Sequence, residues 1–197
     1  MGNKISGISD YMISIKNADI PAVQAYINDF KGLNAIDLVS MNGENSPLLF
    51  AASKLINELS EVFKQGEAAR PLTFNGFGKY VSQIIEIYLM IRSHINEEFS
   101  GFKVMDFINP IIERKKAQSQ DLASVELNVR EFFISLENRD YYSKIEDGWK
   151  ISLPGFFLDS DFHLIHIDST HAANSFILKH DGMVALVAEH HEDDTPF

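Results

Sequence analysis

The sequence predicts an α+β fold, in which an N-terminal helical stack is followed by a small antiparallel β subdomain. Apolar residues recur at helical spacing through the first two thirds of the chain, whereas the segments after Asp140 alternate as strands do. In addition, Asp181-Gly182 stands between two short apolar segments, which is the strongest hairpin signal in the chain. We therefore expect a helical domain at 1–140 and a β-hairpin-containing subdomain with a polar tail at 141–197.

The first helices are marked by the residues that start them. Asp19-Ile20-Pro21 and Ser46-Pro47 each supply a capping side chain and a proline in the first turn, where its missing N–H is harmless. A short helix over Ile8 to Ile15 is expected before the first of these. The helix after Ser46 is expected to stop near Gly66, because the glycine-rich stretch from 65 to 78 is typical of a loop.

Three further helical segments follow. Helical spacing predicts a helix from about Lys79 to Ile95 and another from Asp121 to Glu137. Between them, the segment from Phe102 to Lys116 contains Pro110. Because an interior proline removes a hydrogen bond and clashes with the preceding turn, we expect a break near Asn109.

The C-terminal part carries the strand signals. Alternation predicts strands over Trp149 to Leu153 and over Phe162 to Asp168. Phe176 to His180 and Met183 to Ala188 flank the Asp-Gly turn and form the predicted hairpin.

The composition excludes several classes of function. The chain has no cysteine, so disulfides, thiolate nucleophiles and cysteine-ligated metals are excluded. Its net charge is −11, and its only dense basic run, Arg114-Lys115-Lys116, ends a predicted helix, where cations complement the helix dipole. We therefore expect no nucleic-acid partner. An acidic surface is instead suited to a basic protein partner.

No membrane span, cofactor or metal is predicted. The longest apolar run, Ile84 to Ile91, is interrupted by Glu86 and is far shorter than the ~18 residues of a transmembrane helix. The chain has neither a phosphate-binding glycine loop nor a dinucleotide fingerprint. With no cysteine and no apolar leader, a cytoplasmic location is expected, including the cytosol of an infected host cell.

Two short motifs leave alternatives open. His166, Asp168 and His171 are the residues that would carry chemistry on the C-terminal sheet if the protein were an enzyme, because His166 and Asp168 share one face of a strand. Structural or surface roles are the simpler interpretation of these residues. Met1-Gly2 with Ser6 fits the N-myristoylation pattern, and acylation of Gly2 would give weak, reversible membrane association.

The helical part resembles an ankyrin-repeat array. Ser14 to Ile27 is similar to the first part of the repeat consensus, and Gly32 to Asp37 to the turn into the hairpin. The segment Gly43-Glu44-Asn45-Ser46-Pro47-Leu48-Leu49-Phe50-Ala51-Ala52 resembles the start of the next repeat. A second segment, from Ile84 to Phe107, also resembles parts of a repeat. The whole resemblance covers residues 9–116. Leu49 departs from the pattern, which has histidine there.

The resemblance implies protein–protein recognition without catalysis. The hairpin tips would carry the binding residues, here Asp37, Met41, Asn42, Glu44, Glu97, Glu98 and Phe99. Within this function the protein would be a bacterial effector that acts in a host cell. Two alternatives remain: an immunity or inhibitor protein that binds a basic toxin, and an enzyme with a His/Asp site on the C-terminal sheet.

Overall fold

The computed structural model describes residues 3–29, 46–68, 78–94, 103–158, 164–166 and 175–187. These residues contain six α-helices, namely α1 (Asn3–Lys16), α2 (Ile20–Asp29), α3 (Pro47–Ala68), α4 (Lys79–Ser93), α5 (Met105–Lys116) and α6 (Gln120–Leu136). They also contain six strands, namely β1 (Tyr142–Ile145), β2 (Gly148–Ser152), β3 (Phe156–Leu158), β4 (Leu164–His166), β5 (Ser175–Lys179) and β6 (Val184–Leu186). The helices precede the strands, which confirms the predicted α+β class.

The larger sheet is antiparallel, with strand order β1-β2-β5-β6, and β3 pairs with β4 in a second, two-stranded sheet. In the larger sheet Trp149 lies opposite Leu178, and Ile151 lies opposite Phe176. All four side chains are buried, so this face of the sheet covers the helices. The predicted hairpin is confirmed: Gly182 adopts φ +85° in the turn between β5 and β6, a conformation that glycine tolerates.

Helix α4 lies at the centre of the fold. It packs against α2, α3 and β5, and every residue from Val81 to Arg92 is buried except Gln83, which is half-buried. A helix that is buried around its whole circumference is predominantly apolar, as the Ile84 to Ile91 run is. Helix α3 packs beside it and also contacts α1, α5 and α6.

Aromatic rings join the smaller sheet to the helices. Phe156 of β3 lies with its ring centroid 5.9 Å from Phe63 of α3 and 5.6 Å from Phe132 of α6. The Phe132–Phe156 pair is edge-to-face, an arrangement that aromatic quadrupoles favour. The strands after α6 therefore share one core with the helices.

The predicted helix starts are confirmed. Asp19 Oδ1 accepts a hydrogen bond from the Ala22 amide at 3.2 Å, and Ser46 Oγ accepts one from the Leu49 amide at 3.2 Å. Each bond satisfies an amide that the first turn leaves without a helical partner. Arg114-Lys115-Lys116 also lies where it was predicted, in the last turn of α5.

Three expectations about helix ends and breaks were wrong. Helix α5 continues through Pro110, because Ile108, Ile111 and Ile112 are buried around it and their packing offsets the lost hydrogen bond. Helix α3 runs through Gly66 to Ala68, and α1 begins at Asn3 rather than near residue 8. An interior glycine costs only about 1 kcal/mol, which the packing of a long helix can offset.

The backbone kink occurs instead in α6, which the spacing predicted to be regular. Val125 departs from helical geometry there, with φ −118° and ψ 15°. Strands β1 and β3 were also not predicted. Across the described ranges, no helix is both long and apolar enough to cross a membrane.

The burial of Leu48 leads to a test of this packing. The side chain is fully buried at the start of α3, so Leu48→Ala should lower the free energy of unfolding by about 2–5 kcal/mol. Ile13→Ala, on the exposed side of α1, should change it by less than about 0.5 kcal/mol. Urea denaturation of both variants measures the difference, and an unchanged midpoint for Leu48→Ala would contradict the packing.

Candidate functional site

The sequence-predicted site residues fall almost entirely outside the described ranges. His166 is the exception: its backbone lies in β4, where it pairs with Phe156. Predictions that lie outside the described residues concern Gly2, Asp37, Met41, Asn42, Glu44, Glu97, Glu98, Phe99, Asp168 and His171. Among the residues that are described, no group of three or more His, Asp or Glu side chains converges as a metal site would require.

A carboxylate–imidazole pair that sequence analysis did not identify lies between α4 and the sheet. Glu86 is 0% exposed, and its Oε1 atom is hydrogen-bonded to Nδ1 of His180, whose side chain is 43% exposed. Glu86 Oε2 has no hydrogen-bond partner within the described part of the chain. The pair therefore has a buried end at the carboxylate and a solvent-facing end at the imidazole.

Strand alternation places His180 over Glu86. Phe176 and Leu178 of β5 point into the core, and His180 is the next residue in that alternation. The His180 amide donates to the Asp147 carbonyl at 2.9 Å, which ties the β5–β6 turn to the β1–β2 turn. Gly182 lies so close to α4 that a β-carbon there would be 2.3 Å from Cγ of Lys79. The hairpin turn thus packs against the first residue of α4.

Burial dominates the electrostatics of the pair. Desolvation raises the pKa of the Glu86 carboxyl above its ordinary value near 4.5, and Asp181 adds to this. The charge and hydrogen bond of His180 and the charge of Lys144 act in the opposite direction without cancelling the rise. Glu86 consequently holds a proton more readily than an exposed glutamate does.

A second buried ion pair stands at the other end of α4. Arg92 donates from Nε and Nη2 to the two carboxylate oxygens of Glu137, at 3.1 and 2.8 Å. The Arg92 side chain is 7% exposed and that of Glu137 is 24% exposed. Glu137 is the C-cap residue of α6, so this bidentate ion pair joins α4 to the C-terminal end of α6.

The outward face of α6 carries two exposed apolar side chains. Leu127 is 64% exposed and Ile134 is 49% exposed, and their spacing of seven residues places them on the same side of the helix. The opposite side of α6 forms part of the core through the buried residues Leu122, Val125, Val129, Phe132, Phe133 and Leu136. We refer to Leu127, Glu131 and Ile134 as the α6 outer face.

The sequence contains a signal for one half of the Glu86–His180 pair. Glu86 is the only charged residue within an otherwise apolar helical run, and a charge in such a run requires an internal partner. The identity of that partner has no local signal, because His180 follows 94 residues later.

Comparison of the chain with protein-family models, with curated proteins and with solved structures gives no match. The ankyrin resemblance therefore stays a prediction, and the chemistry of the described residues has to carry any functional proposal.

The raised pKa of Glu86 leads to a test by pH. Because the folded protein binds the Glu86 proton more tightly than the unfolded chain, this group's contribution to stability falls as pH rises from its ordinary pKa to the raised value. Glu86→Gln cannot titrate. The free energy of unfolding of the variant minus that of the parent should therefore increase with pH across this window.

Urea denaturation from about pH 4 to about pH 7 measures this difference. Glu146→Gln, which removes one carboxylate at an exposed position in the β1–β2 turn, is the matched control. A difference for Glu86→Gln that is independent of pH would show that Glu86 titrates normally.

The Arg92–Glu137 pair leads to a second test. Glu137→Gln keeps the shape of the side chain but leaves the Arg92 charge without its carboxylate. Removal of one partner of a fully buried pair costs about 3–5 kcal/mol, and the partial exposure of Glu137 reduces the expected loss to about 1–3 kcal/mol. Glu131→Gln on the same helix should cost less than about 0.5 kcal/mol, and equal losses in chemical denaturation would contradict the role of the pair.

Proposed function

We propose that the chain is a protein-interaction module that binds its partner through the α6 outer face. The observation that carries the proposal is the exposure of Leu127 and Ile134 on a helix whose other side is anchored in the core. Apolar side chains on a rigid element, surrounded by polar groups, are typical of the energetic centre of a protein interface. Binding there requires no change of fold.

The charges around this face indicate the chemistry of the partner. Glu131 lies between the two apolar residues, four positions after Leu127 and three before Ile134, and the structure shows no ion pair for it among the described residues. The neighbouring Arg130 is already bonded to Glu126 at 2.9 Å and to Asn109 at 2.6 Å. With a net charge of −11, the protein is suited to a partner that presents apolar side chains beside basic ones.

Two biological roles fit such a partner. The first is the role expected from the ankyrin resemblance, a bacterial effector that engages a protein in the host cytosol. The second is an immunity or inhibitor protein that binds a basic toxin. The predicted hairpin tips around Met41 and Phe99 would add a second contact surface in either role. No observation on the described residues favours the alternative enzyme site at His166, Asp168 and His171.

A pair of charge-introducing substitutions tests the proposal. Leu127→Glu combined with Ile134→Glu should abolish capture of the partner from a lysate of candidate host cells, as measured by quantitative mass spectrometry. Both side chains are exposed, so the free energy of unfolding should stay within about 0.5 kcal/mol per substitution of the parent value. Raising the salt concentration should weaken capture by the parent if the partner is basic.

Ile13→Glu provides the matched control, because Ile13 is exposed to a similar degree but lies on α1. This variant should capture the same partner as the parent. If the doubly substituted protein folds and still captures that partner, the binding surface lies elsewhere on the chain.

A further inference from the structure

The two ring nitrogens of His180 have different environments. Nδ1 is hydrogen-bonded to the buried carboxylate of Glu86, and Nε2 has no partner among the described residues although the side chain is 43% exposed. The ionised form of Glu86 can only accept, so above the raised pKa of this carboxyl Nδ1 carries the proton and Nε2 of the neutral ring presents its lone pair. The protein thus holds one imidazole in a single tautomer with its nucleophilic atom on the solvent side.

Charged groups around the ring favour an anionic reactant. Lys79 lies against the hairpin turn through its contact at Gly182, and Lys144 is close enough to act on the charge of Glu86. Both lysines are exposed and carry positive charge near the Glu86–His180 pair. Asp181 also faces the pair, but its Oδ1 atom accepts a hydrogen bond from the Met183 amide at 2.9 Å.

We propose that His180 is a phosphoryl-acceptor site, in which Nε2 takes a phosphoryl group from a small donor with a good leaving group. Nε2 attacks phosphorus with its lone pair, a P–N bond forms, and the bond from phosphorus to the leaving group breaks. With phosphoramidate as the donor, the electron pair leaves with nitrogen as ammonia. The ring gains a positive charge, which the Glu86 carboxylate offsets through the Nδ1 proton.

The chain contains a matched internal control for the carboxylate. His94 is also exposed, and its Nδ1 atom is hydrogen-bonded to the carbonyl oxygen of Met90 at 3.0 Å. A carbonyl is likewise only an acceptor, so His94 has the same tautomer as His180. The two rings therefore share a tautomer and differ in the charge of the group that accepts the Nδ1 proton, and His180 also has Lys79 and Lys144 nearby.

The test is the rate of modification of the folded protein by phosphoramidate, followed by ³¹P NMR and by mass spectrometry of its peptides. His180 should be phosphorylated about tenfold faster than His94, the ratio expected when a charge-assisted hydrogen bond replaces a neutral one. Glu86→Gln should remove most of this difference between His180 and His94. In denaturant, the two histidines should react at equal rates.

Lysine variants test the preference for an anionic donor. Lys144→Gln should slow modification of His180, whereas Lys150→Gln should not, because Lys150 is an exposed residue one position after Trp149 and so points to the other face of the sheet. If Lys144→Gln leaves the rate unchanged, the proposed preference for an anionic donor is overturned.

Two results would overturn the site itself. One is a rate at His180 in the folded parent that does not exceed the rate at His94. The other is an enhancement that is undiminished in Glu86→Gln when circular dichroism shows the parent fold. The comparison of the two histidines within the parent needs no variant, so it remains decisive if Glu86→Gln does not fold. The α6 outer face is not involved, and neither proposal depends on the other.

Discussion

The arrangement of the molecule depends on the burial of α4 on all its sides. The stretch from Val81 to Arg92 cannot turn a charged residue toward water, so each charged side chain within it needs a partner inside the protein. Glu86 is paired with His180 of the hairpin, and Arg92 is paired with Glu137 at the end of α6. The two pairs fix two remote parts of the chain to one central helix, in addition to the apolar contacts.

The same helix shows how an apolar run is to be interpreted. The helical run Ile84 to Ile91 is apolar except for Glu86, and it is too short for a membrane span. In the structure this run packs against α2, α3 and β5. These elements supply the apolar surroundings that lipid gives to a membrane-spanning helix. The interruption at Glu86 is then informative, because it marks the place where the core accommodates a charge.

Local signals predicted the parts of the fold that local interactions determine. The caps at Asp19 and Ser46 and the turn at Asp181-Gly182 involve residues within three or four positions of one another, so a sequence window contains all their determinants. Pro110 was misjudged because tertiary packing outweighs its local cost. Strand β1 has no clear alternation of its own, and it forms because β2 pairs with it, with Tyr142 opposite Ile151.

The candidate sites also differ in how far the sequence alone predicts them. Helical spacing predicted α6 itself, and Leu127 and Ile134 are exposed on the side of that helix opposite its buried residues. The pairing of Glu86 with His180 could not be inferred, because nothing near His180 differs from an ordinary strand end. The hairpin tips to which the ankyrin resemblance assigns binding lie outside the described residues.

The separation of Glu86 from its partner along the chain has a consequence for synthesis. The helix is made 94 residues before the imidazole that satisfies its carboxylate, so a nascent chain that ends before the hairpin cannot bury α4 without leaving an unpaired acid inside. Contacts of such long range also slow folding, because a long loop must close before they form. During translation, the helical part therefore remains an incomplete folding unit until the last strands emerge.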